Sequence, residues 1–120
     1  MNKDISKRTF DFALSIIKLS NRMIQEDKEF IITKQLIRSG TSVGANVREA
    51  QNASSRKDFI YKMAIAQREC DETLYWLELK KELEHKYLKK IEELHDEGRQ
   101  LLKIISTIII RVKENNNSLS

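Results

Sequence analysis

The packing of this chain depends on one stretch of its sequence, Arg38-Ser39-Gly40-Thr41-Ser42-Val43-Gly44-Ala45-Asn46-Val47-Arg48-Glu49-Ala50. The stretch has the apolar spacing of a helix, but it is rich in residues that weaken helices. A glycine inside a helix costs about 1 kcal/mol relative to alanine, and Ser, Thr and Asn compete for backbone hydrogen bonds. A helix keeps such residues where another element approaches its backbone or where their polar atoms have partners. The stretch therefore predicts close packing and assembly rather than chemistry.

The composition of the 120-residue chain predicts a single all-α domain over residues 1–113, followed by a flexible tail at 114–120. Proline is absent, three glycines are present and 33% of the residues are charged, as in chains built from helices. The polar start of the chain lacks the apolar run of a signal peptide. No stretch approaches the ~18 uninterrupted apolar residues that span a bilayer. We therefore expect a cytoplasmic protein without membrane contact.

Positive charge is concentrated in the first part of the chain, although the net charge of the whole sequence is only +4. Residues 1–68 hold 13 Lys and Arg against 7 Asp and Glu, a net +6, whereas residues 69–120 hold 9 against 11, a net −2. A positive half is weak evidence for an anionic partner, because helix surfaces are commonly rich in lysine. Charge alone therefore leaves nucleic-acid contact open beside an ordinary solvated surface.

Apolar periodicity predicts four helices, at about residues 6–25, 33–52, 56–81 and 86–113. Thr33 is the predicted N-cap of the second helix, and Ser55 with Asp58 resembles a capping box that opens the third. The turns between the helices are short, and short turns favour antiparallel neighbours. We therefore predict an antiparallel up-down-up-down four-helix bundle.

Two of the predicted helices carry more apolar surface than one bundle needs. The first helix has one stripe made of Phe10, Ala13, Ile17, Ser20 and Ile24, and a second made of Phe12, Ile16, Leu19 and Met23. The third helix has, on the side away from its core stripe, Tyr61, Ile65, Trp76 and Leu79. One stripe is enough for a helix at the edge of an isolated bundle. The extra stripes predict a partner such as a second copy, unless the aromatic side chains simply lie at the surface with their polar tips in water.

The second helix also carries a polar stripe made of Arg38, Ser42, Asn46 and Glu49. One interpretation is a hydrogen-bonded network that holds the helix against a neighbour, with Arg38 and Glu49 paired across subunits. The alternative is contact with a ligand or nucleic acid, which the acidic residue disfavours because it repels phosphate. Gly40 and Gly44 lie four residues apart on one face, where another helix can approach. We assign these residues and Trp76 to packing or oligomer contacts.

Four cationic residues surround the predicted corner between the second and third helices, and we name this set the basic corner: Arg48, Arg56, Lys57 and Lys62. Clustered Lys and Arg are the electrostatic footprint expected of phosphate binding. No recognised base-reading module accompanies them, and an ordinary solvated surface is the alternative. The basic corner is therefore the candidate nucleic-acid-binding site of the sequence.

Candidate catalytic and metal sites are weak in this sequence. Two Glu-x-x-His pairs, at residues 82–85 and 92–95, have the spacing found in di-iron bundles, but both lie near one corner, with His85 in the turn itself. Cys70 is the single cysteine, and we expect it to be buried as a small apolar residue rather than reactive. The glycines of the second helix have neither of the spacings of phosphate-binding loops. We therefore predict no enzymatic activity, no metal and no cofactor.

Residues 35–50, QLIRSGTSVGANVREA, resemble the signature of the bacterial four-helix-bundle proteins that are encoded in intervening sequences of 23S rRNA genes. Residues 55–66, SRKDFIYKMAIA, and 72–79, ETLYWLEL, are similar to the third helix of that family. The likeness covers nearly the whole chain, although Ala50 stands where many members have glycine. The resemblance implies no catalytic residues, and its motif positions fall on Arg38, Ser42, Asn46, Glu49 and Asp58.

The resemblance implies a closed, homo-pentameric ring of four-helix protomers. It also implies kinship with the accessory protein of diversity-generating retroelements, a basic barrel that binds nucleic acid and a reverse transcriptase. Our first hypothesis is a non-enzymatic homo-oligomeric accessory protein that binds RNA or DNA through the basic corner. The second is a protein-interaction scaffold for a reverse transcriptase or nuclease, without nucleic-acid affinity of its own. The third, a di-metal enzyme, rests on the two Glu-x-x-His pairs alone.

Overall fold

The computed structural model describes residues 3–118 and shows four α-helices in a bundle. The helices are α1 (Lys3–Asp27), α2 (Ile31–Gln51), α3 (Arg56–Leu83) and α4 (Leu88–Ser118). Helix α1 packs against α2 and α4, and α3 packs against the same two helices from the opposite side. The bundle measures 54 × 21 × 20 Å, and its described residues contain no strand. The prediction of an all-α four-helix bundle is confirmed.

The turn between α1 and α2 shows that one predicted helix cap is wrong. Lys28 has a φ of 54°, in the left-handed region, and its N–H donates to the carbonyl of Ile24 at 3.1 Å, which ends α1. Thr33 is not the N-cap of α2, because the helix starts two residues earlier and Thr33 lies buried in its first turn. The Glu29 carboxylate instead accepts hydrogen bonds from the N–H groups of Ile32 (2.9 Å) and Thr33 (3.2 Å). A carboxylate here also complements the positive end of the helix dipole.

Helix α3 begins where the sequence predicts and ends two residues later than predicted, whereas α4 begins two residues later and ends five residues later. Ser55 caps α3 as predicted, since its side chain accepts a hydrogen bond from the Asp58 N–H at 3.0 Å. Helix α4 starts at Leu88 and continues to Ser118, five residues past the predicted end at residue 113. No proline or glycine interrupts residues 114–118, so nothing stops the helical hydrogen bonds. Residues 114–118 of the predicted flexible tail therefore belong to α4, and residues 119–120 lie outside the described residues.

The core takes only one of the two apolar stripes of α1. The buried stripe is Phe12, Ile16, Leu19 and Met23, each at most 2% exposed. The other stripe lies at the edge of the bundle: Phe10 keeps 55% of its surface exposed, Ser20 is buried, and Ala13, Ile17 and Ile24 are half-buried. The opposite wall of the core includes the buried residues Met63, Ala66, Leu77, Leu101 and Ile105. Burying one such side chain contributes roughly 1.5–3 kcal/mol. As far as the chain is described, none of the four helices is long and apolar enough to cross a membrane.

Gly40 and Gly44 bring the backbone of α2 onto α1. A Cβ atom at Gly40 would lie 2.9 Å from Cγ2 of Ile16 and 3.2 Å from its Cβ, closer than side chains pack. A Cβ atom at Gly44 would lie 3.3 Å from the backbone carbonyl of Thr9. A helix does approach along the glycine ridge, and it is α1 of the same chain. The glycines thus offset their cost in helix propensity through a closer contact between two helices.

Polar contacts connect the first helix to the last. The Arg8 guanidinium donates to the two carboxylate oxygens of Glu97 at 2.7 and 3.1 Å. At the other end of α1, the buried Tyr87 hydroxyl donates to Glu26 at 2.9 Å, and the Lys86 amine lies 2.9 Å from the same carboxylate. The hydrogen bonds from Lys86 and Tyr87 lower the pKa of the Glu26 carboxyl. These contacts close the bundle between its terminal helices.

Cys70 lies in the core between α3 and α4, as the sequence predicts. Its side chain is fully buried, and its thiol donates a hydrogen bond to the carbonyl oxygen of Gly98 at 3.3 Å. Burial, with a smaller contribution from the charge of Asp71, raises the pKa of the thiol to about 12. Because the thiolate is the reactive form, this cysteine has the properties of a structural residue.

We expect Gly40→Val to lower the free energy of unfolding by about 1–3 kcal/mol, the usual cost of overpacking a core. The added atoms meet Ile16, which is fully buried and has no space to move into. Ala45→Val, on the exposed face of α2, is the matched control and should cost only a few tenths of a kcal/mol. Urea denaturation followed by circular dichroism measures both. Equal stability of the two variants would contradict the close packing of α1 and α2.

We expect Cys70 in the native protein to react with a thiol-labelling disulfide at least about 100-fold more slowly than in the urea-unfolded chain. At about pH 8 the unfolded thiol, with a pKa near 8.5, is partly ionised, whereas the buried thiol stays protonated. The release of the coloured thiolate measures both rates. Similar rates in the two states would show that Cys70 is accessible and ionised in the fold.

Candidate nucleic-acid interface

The polar stripe of α2 meets α3 in a set of ion pairs centred on Arg38. The Arg38 guanidinium donates to the Glu69 carboxylate at 3.0 Å and forms a second ion pair with Glu72. The Arg38 Nε atom also donates to the side-chain oxygen of Gln35 at 3.0 Å. The indole N–H of Trp76, half-buried against the core, donates to Glu72 at 2.9 Å. Arg38 and Trp76 therefore share an acidic partner within one chain.

The remaining residues of the polar stripe also have partners in the same chain. The Asn46 amide donates to the carbonyl and hydroxyl oxygens of Ser42, one turn earlier, at 2.9 and 3.0 Å. The Glu49 carboxylate pairs with the Lys62 amine of α3 at 2.9 Å. Arg38 and Glu49 are thus both matched by α3, and neither requires a partner from another subunit. This arrangement fits the interpretation of the stripe as a packing network.

In the structure, three side chains of the basic corner are exposed and the fourth is largely covered. Arg48 lies in the last turn of α2, and Arg56 with Lys57 opens α3 after a four-residue turn. All three are exposed. Lys62 is only 28% exposed, and its hydrogen bond to Glu49 raises the pKa of its amine. Lys62 therefore holds α3 to α2, while the other three side chains face solvent.

The corner is positive even after its own acids are counted. Its four cations stand against Glu49 and Asp58, which leaves a net charge of +2. The helix dipoles add little here, because α2 ends and α3 begins at this corner and their negative and positive ends largely offset each other. Nearby acids thus weaken the field of the corner without reversing it.

A shallow cavity of about 400 Å³ lies between α1 and α2, next to the corner. Its walls include Phe10, Thr41, Gly44, Ala45 and Arg48. The small residues of α2 leave this space open, and the exposed ring of Phe10 forms its apolar side. The cavity therefore belongs to the surface that α1 and α2 leave uncovered in one protomer.

The Glu-x-x-His pairs do not converge. The Nε2 atom of His95 lies 2.8 Å from Glu78 at the surface between α3 and α4, and His85 is exposed in the turn between these helices. Within residues 3–118, no group of three or more His, Cys, Asp and Glu side chains is placed to hold a metal ion. The described residues thus give the di-metal hypothesis no geometry to support it.

The partners of Arg38 in α3 are not evident from the sequence alone. Glu69, Glu72 and Trp76 follow the spacing i, i+3, i+7, which places them on one face of α3. That spacing is visible in the sequence, but the alignment of α2 on α3, which brings Arg38 to that face, is not. An apolar groove between α3 and α4 is likewise not evident from the sequence, because its walls come from residues about 50 positions apart.

Comparison with known proteins gives the family of the chain. The family model described as 23S rRNA-intervening sequence protein matches residues 1–107. A crystal structure at 1.70 Å of a protein with unknown function, from the S23 ribosomal protein family of Bacteroides thetaiotaomicron VPI-5482, shares 41% sequence identity with this chain. The two superpose with a TM-score of 0.85, over 88% of this chain and 97% of that chain. No curated protein matches the chain.

The predicted resemblance is confirmed by both findings, one from sequence and one from structure. The family match covers all of α1, α2 and α3 and most of α4, including the glycine ridge and the basic corner. The related crystal structure shares the same four-helix fold along nearly its whole length. The chain therefore belongs to the family of 23S rRNA-intervening sequence proteins.

Proposed function

We propose that this chain is a cytoplasmic, non-enzymatic accessory protein that assembles into a homo-oligomeric ring and binds RNA or DNA. The observation that carries the proposal is the basic corner, where Arg48, Arg56 and Lys57 are exposed on the two helix ends that flank one short turn. Lys and Arg side chains contact phosphates through charge and carry no sequence information by themselves. The corner therefore suits binding that depends weakly on base sequence.

The proposed ring has five copies and repeats the basic corner on each protomer. Repetition turns weak single contacts into useful avidity when one long nucleic acid touches several copies. The uncovered apolar surface of the protomer supports such an assembly. Phe10 and Leu14 of α1 are exposed, and so are Tyr61 and Tyr75 of α3. Association would remove this apolar surface from water.

The proposal includes an antiparallel order of neighbouring helices. The glycine contacts support this order, because Gly40 faces Ile16 while Gly44, further along α2, faces Thr9, which is earlier on α1. Residue numbers that rise along one helix and fall along its neighbour are typical of antiparallel packing. In this arrangement the turn between α2 and α3 lies at one end of the bundle, so each protomer presents its basic corner at a tip.

A second candidate function is a scaffold for a reverse transcriptase or nuclease, without nucleic-acid affinity of its own. The exposed side chains of Tyr61, Tyr75 and Leu83 favour it, because aromatic residues are enriched in protein interfaces. Association with such an enzyme that survives nuclease treatment, together with no binding of RNA or DNA by the pure protein, would favour the scaffold.

We expect Arg56→Glu combined with Lys57→Glu to abolish binding of a fluorescein-labelled, single-stranded RNA or DNA of about 20 nucleotides. The double change replaces two cations with two anions at the phosphate-contacting surface. Fluorescence anisotropy at about 50 mM salt measures the affinity. For the unchanged protein, the logarithm of the binding constant should fall linearly with the logarithm of salt, with a slope of about −0.7 per phosphate contact.

The matched control for this test is Lys89→Glu combined with Lys90→Glu. It changes the net charge equally, but it lies at the start of α4. The 28 residues of α3 separate that position from the corner by about 42 Å. The control should keep most of the affinity. The proposed function would be contradicted if the unchanged protein did not bind at about 50 mM salt, or if its affinity did not depend on the salt concentration.

We expect multi-angle light scattering to give a mass well above that of the 14.1 kDa chain, near 70 kDa for five copies. Phe10→Lys combined with Leu14→Lys should reduce the mass, because an interface would then have to bury two ammonium groups. Phe30→Lys, an exposed position in the turn before α2, is the control and should leave the mass unchanged. A mass near that of one chain for the unchanged protein would disprove the assembly.

A further inference from the structure

An apolar groove of about 810 Å³ lies between the start of α3 and the last part of α4. Its floor consists of Phe59 from α3 and of Ile104, Ile108 and Val112 from α4. The three α4 residues are spaced by four, so they form one ridge along the helix. All four floor residues are half-buried, which leaves part of each side chain in contact with solvent. The protomer thus has an uncovered apolar strip separate from the surface of α1.

Cationic side chains border this strip, and none of the residues that line it is acidic. Arg56 stands at the α3 side, and Lys103 and Arg111 stand two turns apart on α4. Several other exposed cations of the bundle have ion-pair partners, such as Lys7 with Asp11. Lys103 and Arg111 form no salt bridge with any of the side chains described, those of residues 5–115. The groove therefore combines an apolar floor with a positive border, in which Lys103 and Arg111 have no acidic partner among the described side chains.

The length and shape of the groove fit an α-helix. From Ile104 to Val112 the ridge runs eight residues, or about 12 Å at 1.5 Å per residue. That length accommodates two to three turns of a helix laid alongside, with anchors at positions i, i+3 or i+4, and i+7. A helix seated there would pack against α3 and α4 as a third neighbour and cover the apolar floor.

We propose that this groove binds an amphipathic helix of another protein whose apolar stripe is flanked by Asp and Glu. The apolar stripe covers the four floor residues, and the flanking carboxylates pair with the cationic border. Complementary charge of this kind selects the partner and its orientation, while burial of the apolar stripe supplies most of the affinity. The proposal does not rest on nucleic-acid binding at the basic corner.

The chemistry of the floor favours a helix over a nucleic acid. Single-stranded nucleic acids bind proteins by stacking bases on aromatic side chains, and three of the four floor residues are aliphatic. A second copy of this chain is also a poorer match. Its own acidic amphipathic segment, around Tyr75 and Glu78, lies about 27 Å further along α3 than the groove. In a ring whose bundles stand parallel to its axis, copies would meet at equal heights, and that segment would not reach the groove.

The test uses two synthetic, fluorescein-labelled 16-residue helical peptides with leucine at positions i, i+4, i+7 and i+11. One carries glutamate beside the leucine stripe, and the other carries lysine at the same positions. In fluorescence anisotropy at about 50 mM salt, the full chain should bind the glutamate peptide at least about tenfold more tightly. Lys103→Glu combined with Arg111→Glu should reverse this preference, so that the lysine peptide binds better. A role of these side chains in stability alone would not produce such a reversal.

Ile108→Asn should weaken binding of both peptides about tenfold, because it removes apolar surface from the floor. Lys89→Glu with Lys90→Glu, the same charge change at the start of α4, should leave both affinities as they were.

Equal affinity for the two peptides, or no effect of reversing Lys103 and Arg111, would overturn the proposal. So would a fall in oligomer mass caused by Ile108→Asn, since the groove would then be a contact between copies. Loss of oligonucleotide binding on reversing Lys103 and Arg111, without peptide binding, would assign the groove to nucleic acid instead.

Discussion

The close approach of α1 and α2 is the constraint on which the rest of the bundle depends. Gly40 and Gly44 remove the side chains that would hold the two backbones apart, and Ile16 fills the resulting space. With α2 seated this deeply, its apolar residues Val43 and Val47 reach the shared core and are fully buried. The polar stripe then lies along the boundary with α3 instead of facing α1. A helix-weakening sequence is therefore stabilised by tertiary contacts that a stronger helix former would block.

Two sets of ion pairs, at different positions along the helix axes, help to fix the alignment of α2 on α3. Arg38 meets Glu69 and Glu72 near one end of the contact, and Glu49 meets Lys62 near the other. These pairs are partly exposed, so each contributes at most about 1 kcal/mol to stability. Their main effect is geometric, because a shift by one turn would separate both sets. The same alignment uses one member of the basic corner for structure and leaves the others exposed to solvent.

Much of the fold is predictable from this sequence, because the apolar periodicity of a helix and the residues that cap it depend only on nearby positions in the chain. The four helices, the Ser55 cap and the buried Cys70 follow from residues within a few turns of one another. The features that were predicted wrongly or not at all depend on residues elsewhere in the chain or on the detailed geometry of the fold. Thr33 has the chemistry of a cap, but the Glu29 carboxylate accepts the hydrogen bonds from the free N–H groups in the first turn of α2. Both apolar stripes of α1 look alike in sequence, and only the packing of the other helices selects the one that is buried. The exposure of the basic corner was predictable, whereas the pairing of Lys62 with Glu49 was not.

The contacts between α1 and α4 have a consequence for the order of folding. Neighbouring helices along the chain can associate as hairpins, which close only short loops, whereas Arg8 with Glu97 and Glu26 with Tyr87 join residues that are 89 and 61 positions apart. Closing loops of that length costs more conformational entropy than closing a hairpin, so we expect these contacts to form after the hairpins. The seam between the terminal helices is thus expected to be the last part of the bundle to form. A ring that covers this seam would slow unfolding more than it would speed folding.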